Sequence, residues 1–254
     1  MKLAAWNVNS LNVRLPHVIE WLKTHQPEVL CLQELKMEDA KFPLAAFDEI
    51  GYQAVFSGQK TYNGVAILSR TRPEDVSKDM PGYEDHQKRV IAATIDGVRV
   101  VCAYIPNGQT VASEKYQYKL QWLAALHGYM RETIAAYGDV ALLGDYNIAP
   151  EDRDVHDPQA WEGQVLCSVP ERDAFRLLLG LGLADSFRLF EQPEKSFSWW
   201  DYRMNGFKRN LGLRIDHVLL TSNLAARCRS SRIDLEPRKL ERPSDHAPVI
   251  ADIG

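Results

Sequence analysis

Acidic and amide side chains recur where short apolar stretches of this sequence end. Asp145 and Asn147 follow the apolar run 140–143, and Glu34 follows the apolar run 29–32. Because the ends of neighbouring strands open into a crevice, polar residues at such ends can converge on a binding site. Eight residues at or near predicted strand ends form the candidate set: Asn7, Glu34, Tyr104, Asp145, Asn147, Asp216, Asp245 and His246.

Convergence of this set would place four carboxylates, two amides, a phenol and an imidazole in one crevice. Like charges repel at close range, so such a cluster persists only with a bound cation or with shifted pKa values. Oxygen ligands without cysteine favour Mg²⁺, with Mn²⁺ as the alternative, over zinc. A hard divalent ion beside a general base and an imidazole suits phosphate ester hydrolysis. Taken singly, each acid is more typical of a turn or cap, so the hypothesis depends on convergence.

Apolar runs bounded by turn residues predict the strands that would position this set. Asp96-Gly97 joins two of these strands, which is the sequence signal of a tight hairpin. The predicted strands cover residues 3–7, 27–34, 54–56, 64–69, 90–95, 98–104, 140–143 and 213–220, with a final strand after Pro248.

Helical spacing of apolar residues predicts three helices between the strands. The first is expected to start near Pro16, because proline is favoured in the first turn of a helix. The longest covers residues 113–137, and its apolar stripe is more typical of core packing than of a cofactor surface. The third covers residues 168–179 and begins with a capping box at Ser168. The acid-rich segment 151–158 is predicted to be a surface loop.

Composition places the chain among ordinary globular proteins. Its 254 residues are 45% hydrophobic and 25% charged, and no linker or repeat divides them, so one domain spanning 1–254 is expected. A formal net charge of −4 argues against indiscriminate coating of nucleic acid but leaves room for a local basic strip. The absence of a signal-peptide pattern predicts a cytoplasmic location. The scattered cysteines are expected to be reduced thiols: Cys31, Cys102, Cys167 and Cys228.

An aromatic run followed by a basic run stands out in the last quarter of the chain. Residues 197–202 contain four aromatic side chains, and Arg203, Lys208 and Arg209 follow without an intervening acid. Taken alone, the aromatic run is equally typical of core and the basic run of a solvated face.

Five short motifs in order give the chain a specific resemblance. In order and approximate spacing, they resemble the exonuclease III family of bacterial AP endonucleases, within the endonuclease/exonuclease/phosphatase superfamily. The resemblance spans essentially the whole chain and implies a four-layered α/β sandwich. In that fold two mixed β-sheets pack face to face, with helices outside and the site at one end. The motifs are Asn7-Val8-Asn9, Leu32-Gln33-Glu34-Leu35-Lys36, Gly144-Asp145-Tyr146-Asn147, Gly212-Leu213-Arg214-Ile215-Asp216 and Ser244-Asp245-His246-Ala247-Pro248.

The resemblance also implies a role for each candidate residue. Glu34 corresponds to the main metal ligand, with Asn7 beside it and Asp245 completing the side that binds Mg²⁺ or Mn²⁺. Asp145 would activate or position the attacking water, and Asn147 would orient that water or hold the scissile phosphate.

Three further residues complete the implied catalytic set. His246, oriented by a neighbouring carboxylate, would stabilise the pentacovalent phosphate, and Asp216 would be another acid of the same cluster. Tyr104 would contact the same phosphate or assist the leaving group.

Double-stranded DNA carrying abasic sites, nicks or 3′ ends is the partner that the resemblance implies, with the protein as a monomer and away from membranes. Trp199, Leu213 and Ile215 match an apolar pocket that admits a sugar without its base. Five residues would follow the backbone phosphates without reading sequence, so salt-sensitive binding is expected: Arg89, Asn107, Arg203, Lys208 and Arg209.

Several activities remain open at this level. The resemblance implies AP endonuclease, 3′–5′ exonuclease and 3′ phosphatase or phosphodiesterase activities. The alternatives are a specialist for 3′ ends with little AP endonuclease activity, a phosphatase acting on a lipid or small phosphoester, and a non-catalytic nucleic-acid-binding regulator. Ser10 departs from the glycine that the family commonly has there. The segment 163–168 lies where family members differ, and it could bias the enzyme between abasic sites and 3′ ends.

Overall fold

The computed structural model describes residues 1–254 and contains fourteen strands and six helices. The strands are β1 (Lys2–Asn7), β2 (Val29–Gln33), β3 (Gln53–Ser57), β4 (Val65–Ser69), β5 (Glu74–Lys78), β6 (Val90–Ile95), β7 (Val98–Tyr104), β8 (Val140–Asp145), β9 (Leu183–Asp185), β10 (Trp199–Trp200), β11 (Gly212–Leu213), β12 (Asp216–Thr221), β13 (Cys228–Ile233) and β14 (Val249–Ile253). The helices are α1 (Leu11–His25), α2 (Leu44–Asp48), α3 (Glu114–Tyr137), α4 (Pro158–Trp161), α5 (Val169–Gly180) and α6 (Ser222–Arg227).

Twelve of the strands form two six-stranded sheets, and β10 and β11 form a separate hairpin. The first sheet has the order β13-β14-β1-β2-β4-β3, and the second has the order β5-β6-β7-β8-β12-β9. Each sheet contains one parallel pair, β1 with β2 and β7 with β8, and the remaining pairs are antiparallel. Both sheets are therefore mixed.

The hydrophobic core lies in three layers. The inner faces of the two sheets share a cluster of 20 buried residues, most of them aliphatic. Outside the first sheet, α1 packs its Trp21 and Leu22 onto a second cluster. Outside the second sheet, α3 and α5 pack onto a third cluster, which contains Trp122 and Phe175. This helix–sheet–sheet–helix arrangement confirms the four-layered α/β sandwich. No helix combines the length and the apolar character that a bilayer crossing requires.

The predicted helices are present, with one difference at the first. The Ser113 side chain caps α3 by accepting a hydrogen bond from the backbone of Tyr116, and the predicted capping box begins α5 at Ser168. The start predicted for α1 is wrong, because the helix begins at Leu11 and Pro16 lies inside it. Proline at that position removes one intrahelical hydrogen bond, but the buried apolar face holds the helix on the sheet.

Two other expectations are wrong, and three edge strands were not predicted. The run 213–220 is two strands, so Asp216 begins β12 instead of lying mid-strand. The segment 151–158 is not wholly at the surface, because Asp154 in its short 3-10 turn is fully buried and bonds to Arg214. Strands β5, β9 and β13 had no sequence signal; they are sheet edges, and β5 and β13 lack the apolar runs of the central strands.

Candidate active site

Strand register brings the predicted residues to one end of the two sheets. In the first sheet, Asn7 lies beside Gln33, so its side chain is next to Glu34 where β1 and β2 end. In the second sheet, Asp145 lies beside Tyr104 on the parallel strand β7 and beside Asp216 on the antiparallel strand β12. The fold therefore positions these residues through backbone pairing, before any side-chain contact is considered.

Asn7 links the two sheets through its amide group. Its Nδ2 donates to Glu34 Oε1 at 2.9 Å and to Asp145 Oδ2 at 2.9 Å. The Tyr104 hydroxyl donates to the same Glu34 oxygen at 3.0 Å. Asn7 is fully buried, and its Oδ1 accepts from the backbone N–H of Asn9. Both ends of this amide are therefore fixed.

The turn after β8 holds Asn147 in a left-handed conformation with φ of 49°. Asp145 Oδ1 accepts a hydrogen bond from the Asn147 backbone N–H at 2.9 Å, which is a local bond that favours such turns. The Asn147 Nδ2 donates to the Ile105 carbonyl at 3.0 Å, and its Oδ1 accepts from Asn107 Nδ2 at 3.0 Å. Gly144 is required before this turn, because a Cβ there would lie 1.9 Å from the neighbouring strand's backbone oxygen.

His246 is oriented by Asp216. Its Nδ1 lies 2.9 Å from Asp216 Oδ2, and its Nε2 lies 3.7 Å from Asp145 Oδ2. Ser198 donates to Asp216 Oδ2 at 2.7 Å and accepts from the Asp216 backbone N–H at 3.0 Å. Sequence reasoning missed Ser198, because a single hydroxyl inside an aromatic run does not reveal its partner Asp216, 18 residues further along the chain. Ser198, Asp216, His246 and Asp145 thus form one continuous chain of polar contacts.

Burial and neighbouring charges raise the pKa values of both Asp145 and His246. Burial raises the pKa of Asp145 to about 7, against the opposing effect of the His246 charge. For His246 burial acts to lower the pKa, but the carboxylates of Asp216 and Asp145 outweigh it and raise the pKa to about 10. Burial also raises the pKa of Tyr104 well above its ordinary value, so its hydroxyl stays protonated near neutral pH. The site thus contains a carboxylate able to exchange a proton beside an imidazolium.

One set of side chains could share a cation. Ligand atoms of Glu34, Asp145 and His246 lie within 4.8 Å of one another. An imidazolium cannot coordinate a cation, however, so the raised pKa of His246 favours carboxylate and amide oxygens as the ligands. Lys36, which sequence reasoning also missed, places its ammonium 2.9 Å from Glu34 Oε2. Asn7 touches the set through its amide N–H group.

Asp245, a predicted metal ligand, lies outside that set. Its Oδ1 accepts from Asn9 Nδ2 at 2.9 Å, and its Oδ2 accepts from Trp199 Nε1 at 3.0 Å. Burial acts to raise its pKa, but the His246 charge and these two donors lower it below the ordinary value. Asn9 and Lys36 connect Asp245 to Glu34. Asn9 donates to Asp245 and accepts from the Lys36 ammonium, which forms the ion pair with Glu34. Its role as a ligand stays a prediction.

The predicted apolar pocket residues are brought together beside this site. Leu213 and Ile215 are buried in a small cluster that also contains Leu166, with Trp199 half-buried against it. Trp199 and Leu213 are paired across the β10–β11 hairpin. The segment 163–168 therefore packs against the predicted pocket residues, through Val165, Leu166 and Cys167.

The predicted DNA-contacting residues divide into two groups. Arg89 and Asn107 lie beside the site and line a cavity of about 680 Å³ together with Tyr104. The Arg89 side chain is buried, and its guanidinium lies over the Tyr104 ring, 4.6 Å from the centroid. A larger groove of about 950 Å³ lies elsewhere and contains none of the predicted residues.

The second group lies on the loop between β10 and β11. Arg203, Lys208 and Arg209 are all exposed there, as an electrostatic surface requires. Asp201 accepts hydrogen bonds from the Arg203 guanidinium through both carboxylate oxygens, which partly neutralises its charge. Arg214, the next basic residue, faces the interior and forms ion pairs with two buried acids. No DNA contact is tested by this geometry, so all five assignments stay predictions.

Comparison with known proteins finds relatives that are nucleases or phosphatases acting on DNA. The model of the Endonuclease/Exonuclease/phosphatase family matches residues 4–246. Exodeoxyribonuclease III of Haemophilus influenzae is 38% identical, with 99% of both chains covered. The structure of the 3′ phosphatase NExo from Neisseria, bound to a product DNA hairpin, is 50% identical with a TM-score of 0.99, covering 100% of this chain and 99% of that chain. An AP endonuclease from Archaeoglobus fulgidus is 43% identical with a TM-score of 0.96, with the same coverage.

These matches run through every motif that carried the resemblance, and they confirm it. The protein belongs to the endonuclease/exonuclease/phosphatase family and, within it, to the exonuclease III branch.

Proposed function

We propose that the protein is a metal-dependent DNA repair nuclease that hydrolyses phosphodiester bonds at abasic sites and at damaged or recessed 3′ ends. The observation that carries this proposal is the meeting of Glu34, Asp145 and His246 within 4.8 Å, at the end of two sheets. The related 3′ phosphatase, AP endonuclease and exodeoxyribonuclease III support the same chemistry.

Asp145 is the residue we assign to water activation. Its pKa of about 7 lies near neutral pH, where a general base combines a large deprotonated fraction with useful basicity. The backbone and side chain of Asn147 and the amide of Asn7 donate to it, so its orientation is fixed. A water held by Asp145 would attack phosphorus in line with the leaving oxygen and give up its proton to the carboxylate.

His246 is the group we assign to charge stabilisation. With a pKa raised to about 10, it is an imidazolium near neutral pH and places positive charge beside Asp145. Asp216 holds its Nδ1, so Nε2 faces the position where the phosphate would lie. Negative charge that grows on the phosphoryl oxygens is then met by a preorganised donor. Tyr104, whose protonated hydroxyl donates to Glu34, is assigned as a second, neutral donor that would turn to the phosphate.

Glu34 is the ligand we assign to the metal ion, with Mg²⁺ as the expected ion and Mn²⁺ as the alternative. Asp245 is proposed as a further oxygen ligand. Asn7, the other predicted ligand, presents its N–H group to Glu34, and its oxygen accepts from the Asn9 backbone. The donor chemistry fits, because the carboxylate oxygens of Glu34 and Asp145 are hard ligands and no cysteine lies beside them. When bound, such an ion supplies Lewis-acid stabilisation of the phosphoryl oxygens.

DNA is the substrate class that the pocket and the relatives favour. Trp199, Leu213 and Ile215 belong to one apolar cluster, which we propose as the surface that receives a deoxyribose without its base. The similar NExo and Archaeoglobus fulgidus enzymes are named for action at 3′ ends and at abasic sites respectively, so both activities are proposed here. A monomeric state and a cytoplasmic location stay predictions.

A labelled-duplex assay tests this function directly. Three substrates, carrying an abasic analogue, a 3′ phosphate or a recessed normal 3′ end, are incubated with Mg²⁺ and in parallel with EDTA. Metal-dependent cleavage of the abasic and 3′-phosphate substrates is expected, and the rate ratio separates a general repair nuclease from a 3′-end specialist. Absence of metal-dependent cleavage on all three substrates would contradict the proposal.

A further inference from the structure

Lys119 is a fully buried lysine on the inner side of α3. Its ammonium donates to the backbone carbonyl of Asn147 at 2.6 Å and to that of Asn107 at 3.2 Å. The third bond goes to Glu171 Oε1 at 2.5 Å. All three donors of this ammonium are therefore used, and two of them hold the loops that carry predicted site residues.

Glu171 extends the contact to the pocket. Its Oε1 also accepts from the backbone N–H of Leu166 at 3.0 Å, and its Oε2 accepts from the backbone N–H of Ser168 at 3.1 Å. Leu166 belongs to the apolar cluster that contains the predicted pocket residues Leu213 and Ile215. The Lys119–Glu171 ion pair thus joins this apolar cluster to the turn that carries Asn147.

The turn is held from its other side by a second buried donor. The Ile148 carbonyl, one residue after Asn147, lies 2.9 Å from His217 Nε2. Burial and the charge of Arg214 hold the pKa of His217 well below its ordinary value, so the ring is neutral. Arg214 donates to Nδ1, which leaves the ring hydrogen on Nε2 for the Ile148 carbonyl. Two successive carbonyls are thus held by different buried side chains, which supports the left-handed backbone of Asn147.

Packing alone does not account for the buried charges. Burying an ion pair costs desolvation, and replacing such a pair with apolar side chains of similar volume is often neutral or stabilising. Helices α3 and α5 already share an apolar contact through the cluster that contains Leu126 and Phe175. A lysine ammonium supplies something that apolar groups cannot, namely directed hydrogen bonds to the backbone carbonyls of the turn.

We infer that Lys119, held by Glu171, is a positioning residue that acts on the reaction through Asn147. The inference rests on the proposed function, in which Asn147 orients Asp145. The family resemblance further implies that Asn147 orients the attacking water or holds the scissile phosphate. A displaced carbonyl at Asn147 would rotate the peptide that precedes Ile148 and shift the amide side chain. Misplacement of about 1 Å can cost about 100-fold in rate, so the expected effect is on the chemical step.

A double-mutant cycle with Asn147 tests this coupling. Lys119→Met/Glu171→Gln removes both charges and avoids leaving one carboxylate buried without a partner. Single-turnover cleavage of the 3′-phosphate duplex at saturating enzyme should fall about 10- to 100-fold in this variant, while DNA affinity in EDTA stays within about twofold. In the Asn147→Ala background, the same pair of substitutions should lower the rate by less than about twofold, since coupled residues are non-additive.

Arg99→Met is the matched control for general destabilisation. Arg99 is also almost fully buried and bonds to backbone and hydroxyl oxygens, but far along β7 from the site. It should lower the melting temperature with little change in the single-turnover rate. An equal, additive loss in both Asn147 backgrounds, or no loss in the wild-type background, would overturn the inference while the nuclease function stands. No loss for Asn147→Ala alone would instead contradict the proposed role of Asn147.

Discussion

The end of the sheets and the loop between β10 and β11 both carry polar side chains, but they hold them by opposite means. At the sheet end, Asn7, Asp145 and Asp216 are at most 1% exposed, and each bonds to another member of the site. On the loop, Arg203 and Lys208 extend into solvent. Buried groups interact strongly because little water screens them, whereas exposed charges act over distance and are screened by salt.

This contrast separates two contributions to activity. Substitutions at the sheet end should change the rate of the chemical step with DNA already bound, because the side chains there are fixed against the reacting atoms. Substitutions on the loop should change DNA affinity and its salt dependence, with little effect on the bound complex.

Asp145→Asn should produce the largest effect. The amide has the same shape but cannot accept the water proton, so the single-turnover rate should fall about 1000-fold. DNA affinity measured by anisotropy in EDTA should stay within about threefold of wild type, since neutralising a buried acid near phosphates removes repulsion. A large loss of affinity, or a protein that does not unfold cooperatively, would assign the residue to the fold instead.

The charge state of the metal-free site should make stability fall as pH rises. The pKa of His246 is about 10 in the folded protein and 6.5 in its ordinary, unfolded setting. Its contribution to the free energy of unfolding is therefore complete below pH 6.5 and is lost as the pH rises to about 10. The raised pKa of Asp145 has the same sign over a lower window, from 3.8 to about 7. Between pH 7 and 9 the folded protein holds about one more proton on His246 than the unfolded protein does. The free energy of unfolding should therefore fall by about 1.4 kcal/mol per pH unit in this range.

Asp216→Asn is the variant that isolates this effect. It removes the neighbour that most raises the pKa of His246, so the free energy of unfolding should depend less on pH above 7. Urea titrations in EDTA at several pH values measure both slopes, and groups shared by the two proteins cancel in the comparison. Parallel slopes would show that the Asp216–His246 contact does not set the charge of the site.

Ser198→Ala should have a smaller effect that tests how far the buried chain of contacts reaches. Loss of the hydroxyl removes one hydrogen bond to Asp216 and leaves the backbone N–H groups of Ile215 and Asp216 without their acceptor. Reorientation of Asp216 and His246 should lower the single-turnover rate about 10-fold, the size of one lost hydrogen bond to a charged group. Ser196→Ala, on an exposed turn nearby, is the control and should match wild type.

Ser198 also shows where sequence reasoning ends. The apolar runs predicted most of the central strands and the polar residues near their ends. The five ordered motifs implied the fold and, with it, the meeting of Asp145 and Asp216. Ser198 and Lys119 act through hydrogen bonds to residues far away in sequence, and a lone hydroxyl or lysine in an apolar pattern has no local signature. The sequence likewise could not show that Asp154 is buried, since its partner Arg214 lies 60 residues away.

Lys208→Ala should have the smallest effect and tests the exposed half of the contrast. Lys208 forms no ion pair, whereas Arg203 is bonded to Asp201, so Lys208 has more charge available for a backbone phosphate. Its loss should weaken binding about equally for all three duplexes and reduce the slope of log affinity against log salt by about 0.9. Arg203→Ala is the matched control and should change the slope less. A fall in the single-turnover rate at saturating DNA for Lys208→Ala would mean that the loop also positions the reacting phosphate, and the separation between the two regions would not hold.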